Sequence, residues 1–72
     1  MKDLVLGVPE HGELRLIDCL KDAYNKLRSG DVRSVTEPFT KVRYFNTWFD
    51  RMRLARRIFY LEEQAKAVEL GN

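Results

Sequence analysis

Few residues in this 72-residue chain have the type and spacing that chemistry needs, and they fall in two places. The first is the stretch around His11, which stands between Glu10 and Glu13, with Cys19 and the pair Asp18/Asp22 close behind. A metal site would draw several ligands from such a stretch, but there is no second histidine and only one cysteine. His11 therefore reads as an exposed loop histidine. Cys19 has no base within reach by sequence and reads as a small, half-buried thiol. Asp18 and Asp22 share a helix face at i, i+4, with Lys21 and Lys26 around them, as solvated surface does. The four glycines are scattered, so no phosphate-cradling loop is present. These residues predict neither an enzyme nor a cofactor or metal site.

The second place is the block 41–57. Lys41, Arg43, Arg51, Arg53, Arg56 and Arg57 stand there against Asp50 alone, a net charge of +5, while residues 1–40 sum to −1 and residues 58–72 to −2. An anionic partner should dock on this block. Arg53, Arg56 and Arg57, at three- and four-residue spacing, make one guanidinium-rich helix face that Arg43 and Lys41 can extend. Such a face contacts phosphate by charge and does not read bases. The competing reading is a solvated face whose arginines pair with Asp50 or Glu63. Under either reading the positions lie off the apolar stripe, so replacing all three by Glu is expected to leave the fold intact. A strip of Trp48, Met52, Ala55 and Phe59 runs beside them. It is either core under a hairpin or an exposed aromatic patch of the kind that marks a protein–protein contact.

The elements that must position these residues follow from periodicity. Residues 1–11 read as an arm: Leu4-Val5-Leu6 is able to dock as a strand, but Gly7 and Pro9 stop any helix. A first helix is expected over 12–28, with Leu16, Leu20, Ala23 and Leu27 in one stripe, widened by Ile17 and Tyr24, and Gly30 as its left-handed end. Two β-type segments, 32–36 and 41–45, flank the turn residues Glu37-Pro38-Phe39-Thr40. Val32 and Val35 break strict alternation, which suggests a bulge. A second helix over 47–70 opens on Thr47-Trp48-Phe49-Asp50, a capping-box pattern. Its stripe of Leu54, Ile58, Leu61, Ala65 and Val68 should pack on the first helix.

The whole is one small domain with real apolar content, 44% hydrophobic with four Phe, three Tyr and one Trp, which excludes a disordered tail. Cys19 is alone and closes no bridge within the chain. The longest apolar run, Ile58-Phe59-Tyr60-Leu61, is far short of the about twenty residues of a membrane span. Lys2 and Asp3 without an apolar signal core argue against secretion by the general route.

From Leu20 to Gln64 the chain resembles the gpW family of tailed-phage head-completion, or head–tail joining, proteins. The resemblance is carried by Ala23-Tyr24-Asn25-Lys26-Leu27-Arg28-Ser29-Gly30 and by Val32, Ser34, Val35, Val42 and Tyr44. It continues through Leu54-Ala55-Arg56-Arg57-Ile58-Phe59-Tyr60-Leu61-Glu62-Glu63-Gln64. It implies an α+β fold of two antiparallel helices with one β-hairpin between them, to which this chain adds its N-terminal arm. It also implies a non-enzymatic connector, monomeric in isolation, that forms a ring, a dodecamer by resemblance, in the virion neck after assembly in the host cytoplasm. There it would sit below the portal protein, close the DNA-filled head and receive the next neck or tail-connector protein, with no membrane partner. On this resemblance Arg43, Arg53, Arg56 and Arg57 become candidates for the DNA channel or a charged subunit contact, and Trp48, Met52 and Phe59 for a subunit or partner interface. The chain departs from the family's type member at both ends: its arm is longer, and it lacks a basic, aromatic-ended C-terminal tail. The alternative is a small nucleic-acid-binding or regulatory module that uses the same arginine face.

Overall fold

The computed structural model describes residues 2–10 and 12–70, without the side chains of Glu13, Glu69 and Leu70; His11 lies outside the described residues. Chain order is β1 (Lys2–Val5), α1 (Glu13–Ser29), β2 (Val32–Thr36), β3 (Arg43–Phe45) and α2 (Trp48–Leu70). The result is a small compact α+β domain of two helices and a three-stranded mixed sheet, ordered β1-β2-β3.

In α1, Leu16, Leu20, Ala23 and Leu27 are buried on one stripe, and Ile17 joins them. Gly12 begins the helix without a side-chain cap, its carbonyl accepting the Leu16 amide at 3.1 Å. Gly30 ends it at φ 85°, where its amide donates to Leu27 O and the Asp31 amide to Lys26 O. Those two bonds form a Schellman motif, and its left-handed residue is where glycine costs least. In α2, Leu54, Ile58 and Leu61 are buried and Ala65 is half-buried, but Val68 is exposed. The expected stripe therefore ends one turn early. α2 outruns α1 by six residues, about 9 Å at 1.5 Å per residue.

The N-terminal arm is the main correction. Residues Lys2–Val5 form a strand that pairs parallel with β2, and the Leu6 amide carries the ladder on to Thr36 O at 3.2 Å. Parallel neighbours need a long crossover, and α1 supplies it, so β1–α1–β2 is a βαβ unit. Asp3 fixes the pairing. Its carboxylate accepts from Arg33 Nε at 3.1 Å, Arg33 Nη2 at 2.6 Å and the Ser34 hydroxyl at 2.7 Å. The β2 irregularity lies on this side. Lys2 pairs with Val32 and Asp3 with Ser34, so Arg33 is the extra residue of a bulge. That extra residue puts both Val32 and Val35 in the core, which regular alternation would forbid.

The hairpin partner β3 is shorter than the expected 41–45. The Glu37 amide donates to Val42 O at 2.9 Å and the Lys41 amide to Glu37 O at 3.1 Å. Lys41 sits at φ 63°, so residues 37–42 belong to the turn. Tyr44 is buried, Val42 packs against the core and Arg43 faces out.

The hydrogen bond from Arg33, then that from Ser34, hold the Asp3 carboxyl at about 2, below its ordinary value. A carboxyl lowered on folding stabilises the fold above its unfolded value of about 3.9. That contribution fades as pH falls from there through 2. Asp3→Asn should accordingly flatten the dependence of the urea midpoint on pH between 4 and 2. An unchanged acid slope in that variant would remove Asp3 from the account.

Candidate functional site: an arginine and aromatic face on the second helix

The start of α2 organises the site. Thr47 caps the helix, its hydroxyl accepting the Asp50 amide at 3.1 Å while its carbonyl accepts the Arg51 amide at 2.9 Å. Asp50 does not return the bond to Thr47, as a full capping box would. Its Oδ2 takes the Phe45 amide at 2.8 Å, tying the end of β3 to the first turn of α2. Its Oδ1 takes Arg53 Nη1 at 3.3 Å.

Four arginines were expected to act together, and the structure divides them. Arg43 is exposed, its guanidinium 5.9 Å from the centre of the Phe45 ring. Arg53 pairs with Asp50 and lies 5.6 Å from the centre of the Tyr44 ring, so it belongs in part to the local pairing that the competing reading anticipated. Arg56 is exposed and makes no ion pair or hydrogen bond among the described residues.

Arg57 is different. It turns toward the hairpin and grips Glu37 with both arms of its guanidinium, Nε to Oε1 at 2.5 Å and Nη2 to Oε2 at 3.2 Å. Glu37 is fully buried and the Arg57 side chain is only 24% exposed. Glu37 Oε2 also accepts the Thr40 amide at 3.1 Å. Burial pushes the Glu37 carboxyl up, but Arg57 and the Thr40 amide outweigh it, and the group ends below its ordinary value. The same hydrogen bond raises Arg57. Tyr44, next to this pair, is pushed up by burial first and then by the charge of Glu37. Arg57 is therefore engaged by the fold, its guanidinium held on Glu37. The expectation that Glu at 53, 56 and 57 leaves the fold intact fails at 57, where a second carboxylate would meet a buried one. Guanidinium charge open to solvent beside the strip is left to Arg56, with part of Arg53.

The aromatic strip lies outside the core. Trp48 is 69% and Phe59 64% exposed, while Met52 and Ala55 are half-buried. Together with Arg53 and Arg56 they line one shallow surface groove. Phe49 lines it too and is equally exposed, although it is not one of the strip residues expected from the sequence. Its signal was present: Phe49, Met52, Arg53 and Arg56 recur at i, i+3, i+4 and i+7. Neither Arg43 nor Arg57 lines this groove; Arg57 lines a separate recess with Gly12, Leu16, Phe39 and Leu61.

Apolar rings interleaved with guanidinium groups make a binding surface, able to stack, to exclude water and to meet a carboxylate or phosphate. Elsewhere Cys19 is half-buried in a recess with Pro9, Glu10 and Arg15. No helix among the described residues is long and apolar enough to cross a membrane. Comparison of the chain with protein-family models, with curated proteins and with solved structures gives no match.

Proposed function

We propose that the chain is a structural connector of the gpW type, with two antiparallel helices, that joins a ring in the neck of a tailed phage. It sits there between the portal and the next connector protein, and closes the DNA-filled head. The observation that carries this reading is the groove on α2. The helix already buries Leu54, Ile58 and Leu61 in the core, yet it presents Trp48, Phe49 and Phe59 to solvent on another face. A contiguous aromatic patch on so small a domain is a contact surface. Helix, hairpin and helix also follow one another in the order that the resemblance implies. In the ring, Arg56 and Arg53 supply charge toward packaged DNA or a neighbour without reading sequence.

Phe59→Ser is the test. The side chain is exposed, so the variant should keep the wild-type circular-dichroism melt to within about 0.5 kcal/mol. It should also be missing from the necks of purified particles and lower the infectious titre. Normal incorporation would put the interface elsewhere.

A second reading has its own support: Arg56, without a partner among the described residues and set among exposed rings, is also how a nucleic-acid-binding module presents itself. The two differ in what the isolated chain does. A connector subunit offers few phosphate contacts until a ring multiplies them, and so binds short DNA weakly. A dedicated module quenches Trp48 fluorescence at micromolar DNA with a steep salt dependence.

A further inference from the structure

The groove on α2 lies away from the side of the helix that the fold uses. Leu54, Ile58 and Leu61 are buried in the core. At 100° per residue, the residues lining the groove are centred about 160° round the axis from that stripe. Their order repeats one pattern. Phe49, Met52, Arg53 and Arg56 stand at i, i+3, i+4 and i+7, and Met52, Ala55, Arg56 and Phe59 repeat that spacing one step on. Four helix positions so spaced enclose a hole that takes one side chain of a facing helix. The two holes share Met52 and Arg56, and Ala55 gives the second its depth. From Trp48 to Phe59 the surface runs about 17 Å, or about three turns of helix.

Charge decides what fits. Every ionisable group lining the groove is a guanidinium. Asp50, the acid beside it, is already taken, Oδ2 by the Phe45 amide and Oδ1 by Arg53. Arg56 is exposed and makes no ion pair or hydrogen bond among the described residues. The same groove of a second copy would set arginines against arginines. Nucleic acid draws its affinity from several phosphate contacts, of which one free guanidinium supplies few. A peptide chain with carboxylates beside its apolar side chains matches both the rings and Arg56. An extended one would lay unpaired amides on the rings, because the backbone of α2 is bonded within its own helix. A helical one arrives with its amides already paired.

We infer that the groove receives an acidic amphipathic helix of a partner protein. Two large apolar side chains of that helix, three or four residues apart, fill the two holes, and a carboxylate beside them meets Arg56. This rests on the connector reading in taking the groove as a protein contact, and it names the kind of segment that the partner brings.

Synthetic helices test it on the full-length chain. Two side-chain-stapled peptides of about fourteen residues, free of Trp, cover the three turns, share one Leu stripe and differ only in flanking it with Glu or with Lys. The Glu peptide should change Trp48 fluorescence and move the amide signals of residues 48–59. The Lys peptide should bind at least about fivefold more weakly. Arg56→Glu, with unchanged circular dichroism, should remove or reverse that order. A Glu peptide without effect up to millimolar concentration, equal binding of the two peptides, an order kept by Arg56→Glu, or amide shifts centred elsewhere would each overturn the inference. So would a short oligo-dT that binds more tightly than the Glu peptide, which would give the groove to nucleic acid. The connector reading is decided separately, by the presence of the wild-type chain in purified phage necks. A chain found in necks that does not distinguish the peptides sinks this inference alone. A chain that prefers the Glu peptide through Arg56 but is missing from necks sinks the connector reading alone.

Discussion

Arg57→Ala should unfold most of the protein at neutral pH, although the residue stands beside Arg56, which makes no ion pair or hydrogen bond among the described residues. The side chain is the main partner of Glu37, whose carboxylate has no exposure to water and keeps only the Thr40 amide once the guanidinium is gone. Removing one partner of a buried pair costs about 3–5 kcal/mol, because the remaining charge is stranded. Domains of this size seldom have much more than that in total. Arg56→Ala, one residue away, should change the urea midpoint by no more than about 0.5 kcal/mol. The pH dependence has a definite sign. The Glu37 carboxyl lies below its ordinary value in the folded chain, so its contribution is complete above about 4.3 and is lost as pH falls through the folded value. Coincident urea melts for Arg57→Ala and wild type at pH 7 would mean that Glu37 is not held as described.

Leu54→Ala is the second large effect, at about 2–5 kcal/mol. Leu54 has no exposure and belongs to the same cluster as Leu16, Leu20 and Leu27 of α1, so its loss opens a cavity between the helices. Ile58→Ala, one turn on and slightly exposed, should fall in the lower part of that range. Circular dichroism at room temperature should show Leu54→Ala partly unfolded. A wild-type melt would place the α2 register wrongly.

Both helices could be read from the sequence because their evidence is local: apolar residues recur every three or four positions, and Gly30 and Thr47 mark ends through their own backbone and side-chain bonds. The strand β1 could be read only as an arm able to dock, with no partner or direction. Leu4-Val5-Leu6 is too short to declare itself, and what holds it, the Asp3–Arg33–Ser34 bonds, spans about thirty residues. Glu37 was hidden for the same reason. A glutamate beside Pro38 in a turn reads as solvated, and only the fold brings Arg57, twenty residues on, over it. The sequence also places Arg57 on the flank of the Leu54/Ile58 stripe, which is where an arginine can reach inward; spacing alone grouped it with Arg53 and Arg56. The exposure of the aromatic strip depended on how much of α2 the sheet covers, a question that no periodicity answers.

The parallel seating of β1 beside β2 has a kinetic consequence. Every bond between them closes a loop that contains the whole of α1, whereas the hairpin and its tie to α2 through Asp50 join residues close in sequence. Loop closure must be met before the contact that rewards it forms, so the hairpin is expected to form before β1 docks. Weakening the Asp3 clasp then accelerates unfolding and leaves the rate of folding nearly unchanged. β1 is thus the element whose release leaves the rest of the domain closest to intact.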